Sequence, residues 1–218
     1  ASHELRTPLA VIKGTMEVLI RKPRNQQEYE EKIQFCISEV DRLNHMVDQL
    51  LLLARFENQK QNVKQETIYL NALILDNLTR FSEKSESKKL KIKTEFTEDY
   101  YLVCDNYLVS IIISNLISNA IKYSNPNGEI AIELGKTNDE VTFSITDYGV
   151  GIAKNDLDKI FNSFYRSDVS NHPEIKGTGL GLSIVKRLCD LLRIKISVES
   201  RINEKTKFIL QFSSAKLK

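Results

Sequence analysis

The apolar residues at the start of the chain recur at alternating spacings of four and three: Leu5, Leu9, Ile12, Met16 and Leu19. This is the seam of a helix packed against other helices, and it predicts a first helix to about residue 21. Pro8 sits near its start, where a missing amide costs least. Lys22-Pro23-Arg24-Asn25 breaks the pattern and reads as a connector. A second seam follows through Ile33, Ile37, Val40, Leu43, Val47, Leu50 and Ala54, with one spacing of three where a strict heptad would place Asn44. Two long helices with a short join predict an antiparallel hairpin. One apolar stripe per helix buries little alone, so the hairpin is expected to pair with a second copy into a four-helix bundle. Packing on the downstream domain is the other way to cover the stripe.

Asn58-Gln59-Lys60-Gln61-Asn62 is polar and without period, and it marks a boundary between a hairpin domain at 1–60 and a second domain at 63–218. Beyond it the texture changes. Residues 70–81 have the pattern of an amphipathic helix, Lys91–Phe96 alternates in part like a strand, and Tyr101–Cys104 reads as another short strand. Asp105 is placed to cap an apolar helix over 108–121, and Ser124-Asn125-Pro126-Asn127-Gly128 is a strong turn. Residues 130–134 and 141–145 read as strands paired around Asn138-Asp139, and 194–198 with 208–212 as a second hairpin. Strands and helices mix without a βαβ rhythm. The pattern therefore predicts an α+β chain: a helical hairpin, then an α/β sandwich with a largely antiparallel sheet.

With 218 residues the chain has room for a substantial core, and 41% hydrophobic with 28% charged residues excludes wholesale disorder. A net charge of +2 gives no basic excess to recruit nucleic acid. No apolar run is long enough to cross a bilayer, and no signal peptide opens the chain. Cys36, Cys104 and Cys189 are widely spaced in apolar surroundings, which points to reduced core thiols and a reducing, cytoplasmic setting.

Four stretches carry candidate chemistry. In Gly177-Thr178-Gly179-Leu180-Gly181-Leu182-Ser183, alternate glycines remove the side chains that keep a ligand from the backbone. The helix expected next would point free amides and its positive dipole end at this loop, so it can hold phosphate; a plain turn gives the same pattern. Asn115 and Asn119, four apart, share one helix face ahead of Lys122 and Tyr123. A neutral oxygen ligand such as Asn119 suits Mg²⁺, and Lys122 adds charge beside phosphates, although asparagines in helices also satisfy backbone groups. Asp147-Tyr148-Gly149-Val150-Gly151-Ile152 closes a strand with a carboxylate able to accept from an exocyclic amine such as adenine's, while its glycines admit a flat ring; a turn is the simpler reading. Finally Phe161, Phe164, Tyr165 and Arg166 precede a mostly polar stretch at 167–176 that ends at the glycines, the make-up of a lid, unless the aromatics are plain core and Arg166 a solvated charge.

Taken together these segments resemble a known family. His3-Glu4-Leu5-Arg6-Thr7-Pro8-Leu9 resembles the phospho-acceptor box of the sensor histidine kinases of two-component systems. Residues 115–123, 147–152, 161–166 and 177–183 resemble that family's asparagine, first glycine, phenylalanine and second glycine boxes, in the family's order. The resemblance implies a dimerisation and phosphotransfer hairpin followed by the Bergerat-type ATP-binding sandwich shared with DNA gyrase, the large heat-shock chaperone and the MutL mismatch-repair protein. By position, it implies that Asn119 ligates Mg²⁺, that Asn115 and Lys122 attend the phosphates of ATP, that Tyr123 lies near the nucleotide, and that Asp147 binds the adenine amine. Gly149 and Gly151 would shape the adenine pocket, Arg166 would reach towards the γ-phosphate, and the stretch from Gly177 through Thr178, Gly179 and Leu180 to Gly181 would fold over the phosphates.

In the same carry-over His3 is the nucleophile, with a free imidazole lone pair near neutral pH, and Glu4 holds or deprotonates the other ring nitrogen. Thr7, one turn on, matches the position that orients water for dephosphorylating the partner. That partner is a response-regulator receiver domain, whose aspartate takes the phosphoryl group; a homodimer and no nucleic acid are implied. His45 and His172 have no such context and read as surface or lid residues. The family carries helical turns and a sensory region ahead of its acceptor, whereas this chain begins two residues before His3. It therefore reads as a fragment, the cytoplasmic domain of a sensor that a missing upstream segment anchors in the membrane. His3 then falls in the fraying first turn, and autophosphorylation is expected to be weak while nucleotide binding survives. Two other readings are a GHKL-type ATPase of the gyrase or chaperone kind, which the box at His3 opposes, and a dimeric nucleotide-binding scaffold without catalysis.

Overall fold

The chain divides into two units, Ala1–Asn58 and Gln59–Lys218. The computed structural model describes residues 2–58, 63–137, 140–167 and 177–213, apart from the side chains of residues 2–4, 53, 55–58 and 137. Most of the expected lid, His172 and the Asn138-Asp139 turn lie outside the described residues.

In the first unit α1 (Ser2–Ile20) and α2 (Gln26–Asn58) form the expected hairpin. Asn25 starts α2 by accepting a hydrogen bond from the Glu28 amide at 2.8 Å, and so satisfies one of the orphan donors of the first turn. The two helices face each other through Ile12 and Leu19 on α1 and Cys36 and Met46 on α2, with Glu39 and Gln49 buried beside them. Most of the heptad-like seam read from the sequence is not this face. Leu9 and Met16 are 55% and 53% exposed, and Ile33, Ile37, Val40 and Val47 are exposed as well. On α2 the stripe inside the hairpin is thus the one diluted with polar residues, while a more apolar stripe of Ile33, Ile37, Val40 and Val47 lies outside it.

The second unit places helices against one face of a sheet. The five-stranded sheet has the order β2 (Lys91–Phe96), β4 (Glu129–Thr137), β5 (Glu140–Asp147), β7 (Lys205–Phe212), β6 (Lys195–Arg201). Only β2 and β4 run parallel; the remaining pairs are antiparallel, as the absence of a βαβ rhythm predicts. The buried face is built in register, with Ile132, Ile145 and Phe208 in one row and Leu134, Phe143 and Leu210 in the next. The opposite face is polar: Ser144 donates to Glu133 at 2.7 Å and Lys207 reaches the same carboxylate at 2.8 Å, which holds the Glu133 carboxyl below its ordinary pKa. Against the buried face lies α5 (Asn106–Tyr123), packed between α3 (Leu70–Arg80) and α6 (Gly181–Leu192). Asp105 caps α5 as expected, accepting from the Leu108 amide at 3.1 Å.

Besides a short 3₁₀ turn at Lys154–Asp156, one strand and one α-helix have no counterpart in the sequence reading. They are β1 (Glu66–Tyr69), which pairs with β3 (Tyr101–Cys104) in a separate two-stranded sheet, and α4 (Ser82–Ser87), a single polar helix. β1 has one buried residue in four, so it shows no alternation to detect. All three cysteines are buried and outside any disulfide, in keeping with reduced core thiols, and burial pushes the Cys189 thiol up to about 12. Among the described residues no helix is long and apolar enough to cross a membrane.

After α4 the chain turns through Lys89, at φ 53°, and delivers Lys88 to the far end of α5. The Lys88 ammonium donates to the carbonyls of Ile121, Lys122 and Ser124 at 3.1, 2.7 and 3.1 Å. A cation at a helix C-terminus satisfies orphan carbonyls and complements the dipole at once. Replacing it with Met keeps the alkyl stem and removes every donor. Lys88→Met should cost about 2 kcal/mol and lower the thermal midpoint of the second unit by about 6 °C, measured by calorimetry; an unchanged midpoint would show that water replaces the ammonium without loss.

Candidate functional site

The last turn of α5 is where the local chemistry converges. Its Tyr123 carbonyl accepts from the Val150 amide at 3.3 Å, and Ser124 bridges to Gly149, so the Asp147–Gly151 loop is laid directly on the helix end. The approach is close enough that a Cβ on Gly149 would overlap the Tyr123 carbonyl, and a Cβ on Gly151 the Arg201 carbonyl. Gly151 also has φ +67°, a conformation L side chains rarely adopt. These glycines serve backbone-to-backbone packing, which shapes the pocket beside them.

That pocket is a cavity of about 530 Å³, the size of a small-molecule site. Asn119, Tyr123, Asp147, Gly151 and Arg166 line it together. Asp147 is 4% exposed, and its Oδ1 has no hydrogen-bond partner. Burial pushes its carboxyl up to about 7, against the lowering effect of the Gly149 amide and its own. A buried, unsatisfied acceptor facing a cavity calls for a donor from a ligand, and an exocyclic amine supplies one. Tyr123 is also pushed up by burial, while the Arg166 charge opposes the rise.

The two asparagines behave differently. Asn119 opens onto the cavity, and its side chain makes no hydrogen bond with another described residue. Asn115 is away from the cavity lining: its Nδ2 donates to the Ile111 carbonyl at 2.9 Å, and its Oδ1 lies where a Cβ on Gly181 would come within 2.8 Å. The glycine loop therefore rests on α5 and on the aromatic segment. Gly177 stands against the Lys122 ammonium, and Gly179, at φ +72°, against the Phe164 backbone, whose amide donates to the Gly179 carbonyl at 2.9 Å. Thr178 accepts from the Leu180 amide at 3.3 Å, and Leu180 is fully buried. Leu180 is also the N-cap of α6 and provides no side-chain cap, so the first amides of α6 remain available to an anion.

Among the described residues no cluster of three His, Cys, Asp or Glu side chains suits a metal. One neutral oxygen at Asn119 fits a cation that takes its other ligands from phosphate and water, which is the habit of Mg²⁺. His3 and Glu4 fall in α1, but their side chains are outside the described ones; Thr7 is exposed on the same helix. His45 is exposed, as read.

The cavity also contains residues the sequence did not single out for the site: Asp156, Ser167, Asn203 and Thr206. Thr206 lies beside Asp147 in the β5–β7 register and is 4% exposed. A signal for it existed, since it is the one polar residue in the buried row Thr206, Phe208, Leu210 and Phe212. Asn203 has φ 58° in the β6–β7 turn, where its amide donates to the Val150 carbonyl at 2.9 Å. No local pattern announces that pairing.

The raised Asp147 carboxyl has a consequence for the empty protein. Between its unfolded value of 3.8 and about 7 the folded state holds a proton that the unfolded state has lost, so Asp147 makes stability fall as pH rises across that window. The loss amounts to about 4 kcal/mol and is complete above the upper value. Asp147→Asn should match the wild type near pH 4 and exceed it increasingly up to neutral pH in denaturant unfolding. A constant difference between the two proteins would contradict the buried, unpaired carboxylate.

Comparison with known proteins agrees with this geometry. Residues 1–59 match the family described as His Kinase A (phospho-acceptor) domain, and residues 104–216 match the histidine kinase-, DNA gyrase B- and HSP90-like ATPase family. Sensor protein IrlS of Burkholderia pseudomallei is 31% identical over 97% of this chain, and sensor protein SrrB of Staphylococcus aureus is 30% identical over 96%. The chain spans less than half of these relatives, 45% of IrlS and 36% of SrrB. Among solved structures, the Acinetobacter baumannii histidine kinase AdeS superposes with a TM-score of 0.77 at 26% identity, covering 97% of this chain and 98% of that one. Histidine kinase ThkA in complex with response regulator protein TrrA shares the fold, with a TM-score of 0.73 at 24% identity over 97% of this chain and 59% of that one. The hairpin and sandwich, with the two family matches and these relatives, place the chain in the sensor histidine kinase family.

Proposed function

We propose that this chain is the kinase core of a two-component sensor, which transfers the γ-phosphoryl group of ATP to His3 and then to an aspartate of a response-regulator receiver domain. The observation that carries the reading is the buried, unpartnered Asp147 oxygen at the wall of the cavity beside Asn119. Asp147 accepts from the adenine amine, and Tyr123 and Thr206 complete the wall around the base. Lys122 and the uncapped amides of α6 attend the phosphates, and Asn119 contributes an oxygen to Mg²⁺. When bound, Mg²⁺ neutralises charge developing on the transferred phosphoryl group. Phosphoryl transfer forms a P–N bond at His3 as the bond to ADP breaks, and Glu4 takes the proton from the other ring nitrogen. Thr7, exposed on the same helix, orients water for dephosphorylating the partner.

The hairpin supports the homodimer. Its exposed stripe of Leu9, Met16, Ile33, Ile37, Val40 and Val47 is too apolar to face water along two helices, and a second copy supplies the same stripe by symmetry. An upstream segment carrying sensor and membrane anchor fits relatives of which this chain is under half.

Incubation with γ-labelled ATP and Mg²⁺ tests the chemistry. The protein should acquire acid-labile, base-stable label, and His3→Gln should abolish it; label retained in that variant would remove His3 from the mechanism. Asp147→Asn should weaken ATP binding by roughly 10- to 100-fold in titration calorimetry, because the amide group presents a donor to a donor. Unchanged affinity would assign the adenine to another group.

A further inference from the structure

The side chain of Asp156 is used by neither the family boxes nor the adenine wall, yet it sits in the same cavity. It ends a short 3₁₀ turn, Lys154–Asp156. Its backbone is fixed there: its amide donates to the Ala153 carbonyl at 2.9 Å, and its carbonyl accepts from the Lys159 and Ile160 amides at 2.8 and 3.0 Å. Its carboxylate takes two hydroxyl donors, one on each oxygen. Tyr165 Oη donates to Oδ1 at 2.7 Å and Ser167 Oγ donates to Oδ2 at 2.6 Å. These are short, charge-assisted bonds. The residue between the two donors is Arg166.

A carboxylate in a cavity for polyphosphate would repel its ligand if it faced the phosphates directly. Here both oxygens are occupied by hydroxyls, and Lys159 lies 3.9 Å from Oδ1. The arrangement suits a clamp on the chain. One residue earlier, the Phe164 amide is tied to the Gly179 carbonyl, so the segment is also held just ahead of the clamp. With Tyr165 and Ser167 drawn to one carboxylate, the backbone of Arg166 is fixed at both its neighbours, and its side chain lines the same cavity as Tyr123.

We propose that Asp156 is a positioning residue: by clasping the hydroxyls of Tyr165 and Ser167 it aims the Arg166 guanidinium at the terminal phosphate of the bound nucleotide. This rests on the reading of Arg166 as the γ-phosphate contact. The clasp replaces chain entropy with preorganisation, so the contact is formed without first ordering the segment.

The test is the preference for ATP over ADP, measured as a ratio of dissociation constants by calorimetry with Mg²⁺ on the full chain. The ratio cancels any general damage to the adenine pocket. Arg166→Ala should reduce it about tenfold. Asp156→Ala should reduce it several-fold, and so should the double variant Tyr165→Phe/Ser167→Ala, which leaves Asp156 in place and guards against a folding defect in the first. Combining Asp156→Ala with Arg166→Ala should reduce the ratio no further than Arg166→Ala alone, since both act through one contact. A preference unchanged in Asp156→Ala and in the hydroxyl double variant, or effects that multiply with Arg166→Ala, would overturn the clasp. If Arg166→Ala itself leaves the ratio intact, the assignment of Arg166 fails, and the clasp fails with it, while ATP binding and the adenine site stand.

Discussion

The end of α5 must find donors for its last carbonyls, and the way it finds them assembles the site. Helices leave four carbonyls without internal partners. Here the Ala120 carbonyl accepts from the amide and hydroxyl of Ser124, those of Ile121 and Lys122 accept from Lys88, and that of Tyr123 accepts from the Val150 amide. None of the donors beyond Ser124 belongs to the helix. One comes from the turn before β2, and the other from the loop after β5 that carries Asp147. Satisfying backbone polarity therefore brings Tyr123, Asp147 and Gly151 around one cavity, and the glycine at 149 is what allows the loop to come close enough.

Much of this was legible in the chain because the burial is one-sided. Lys91–Phe96 and Tyr101–Cys104 are strands where the pattern puts them, and the helix predicted over 108–121 differs only at its ends, where Asn106, Tyr107, Lys122 and Tyr123 extend it. The hairpin was legible as a pair of helices but not in its interior. Its heptad-like seam is strongest on the stripe left exposed, whereas the buried stripe mixes Cys36 and Met46 with Glu39 and Gln49. Periodicity finds the most apolar face of a helix, and that face need not be the one its partner helix in the hairpin covers.

The site divides in the same way. Residues in local motifs, such as Asp147 and the glycines, could be found by spacing, while Asp156, Asn203 and Thr206 enter the cavity through tertiary pairing. The glycine loop was legible in position, and the structure adds a packing reason for its composition: the missing side chains of Gly177, Gly179 and Gly181 make room for Lys122, the Phe164 backbone and Asn115. Tight packing of this loop on α5 and on the aromatic segment fixes the start of α6, which has no side-chain cap and on the proposed reading would meet the phosphates.

Asp147 ties these strands together energetically. Desolvation without a full set of donors leaves its carboxyl near neutrality, so the empty site at neutral pH is shared between a protonated and an ionised form. The protonated form has spent one oxygen on a proton; the ionised form offers an acceptor and carries the cost of burial. On the proposed reading, an adenine amine would supply the missing donor and favour the ionised form, so that binding of the base would release part of that cost and expel the proton. A carboxylate held this way costs stability that a donor from a ligand would restore, and so its unpartnered oxygen is informative about that ligand.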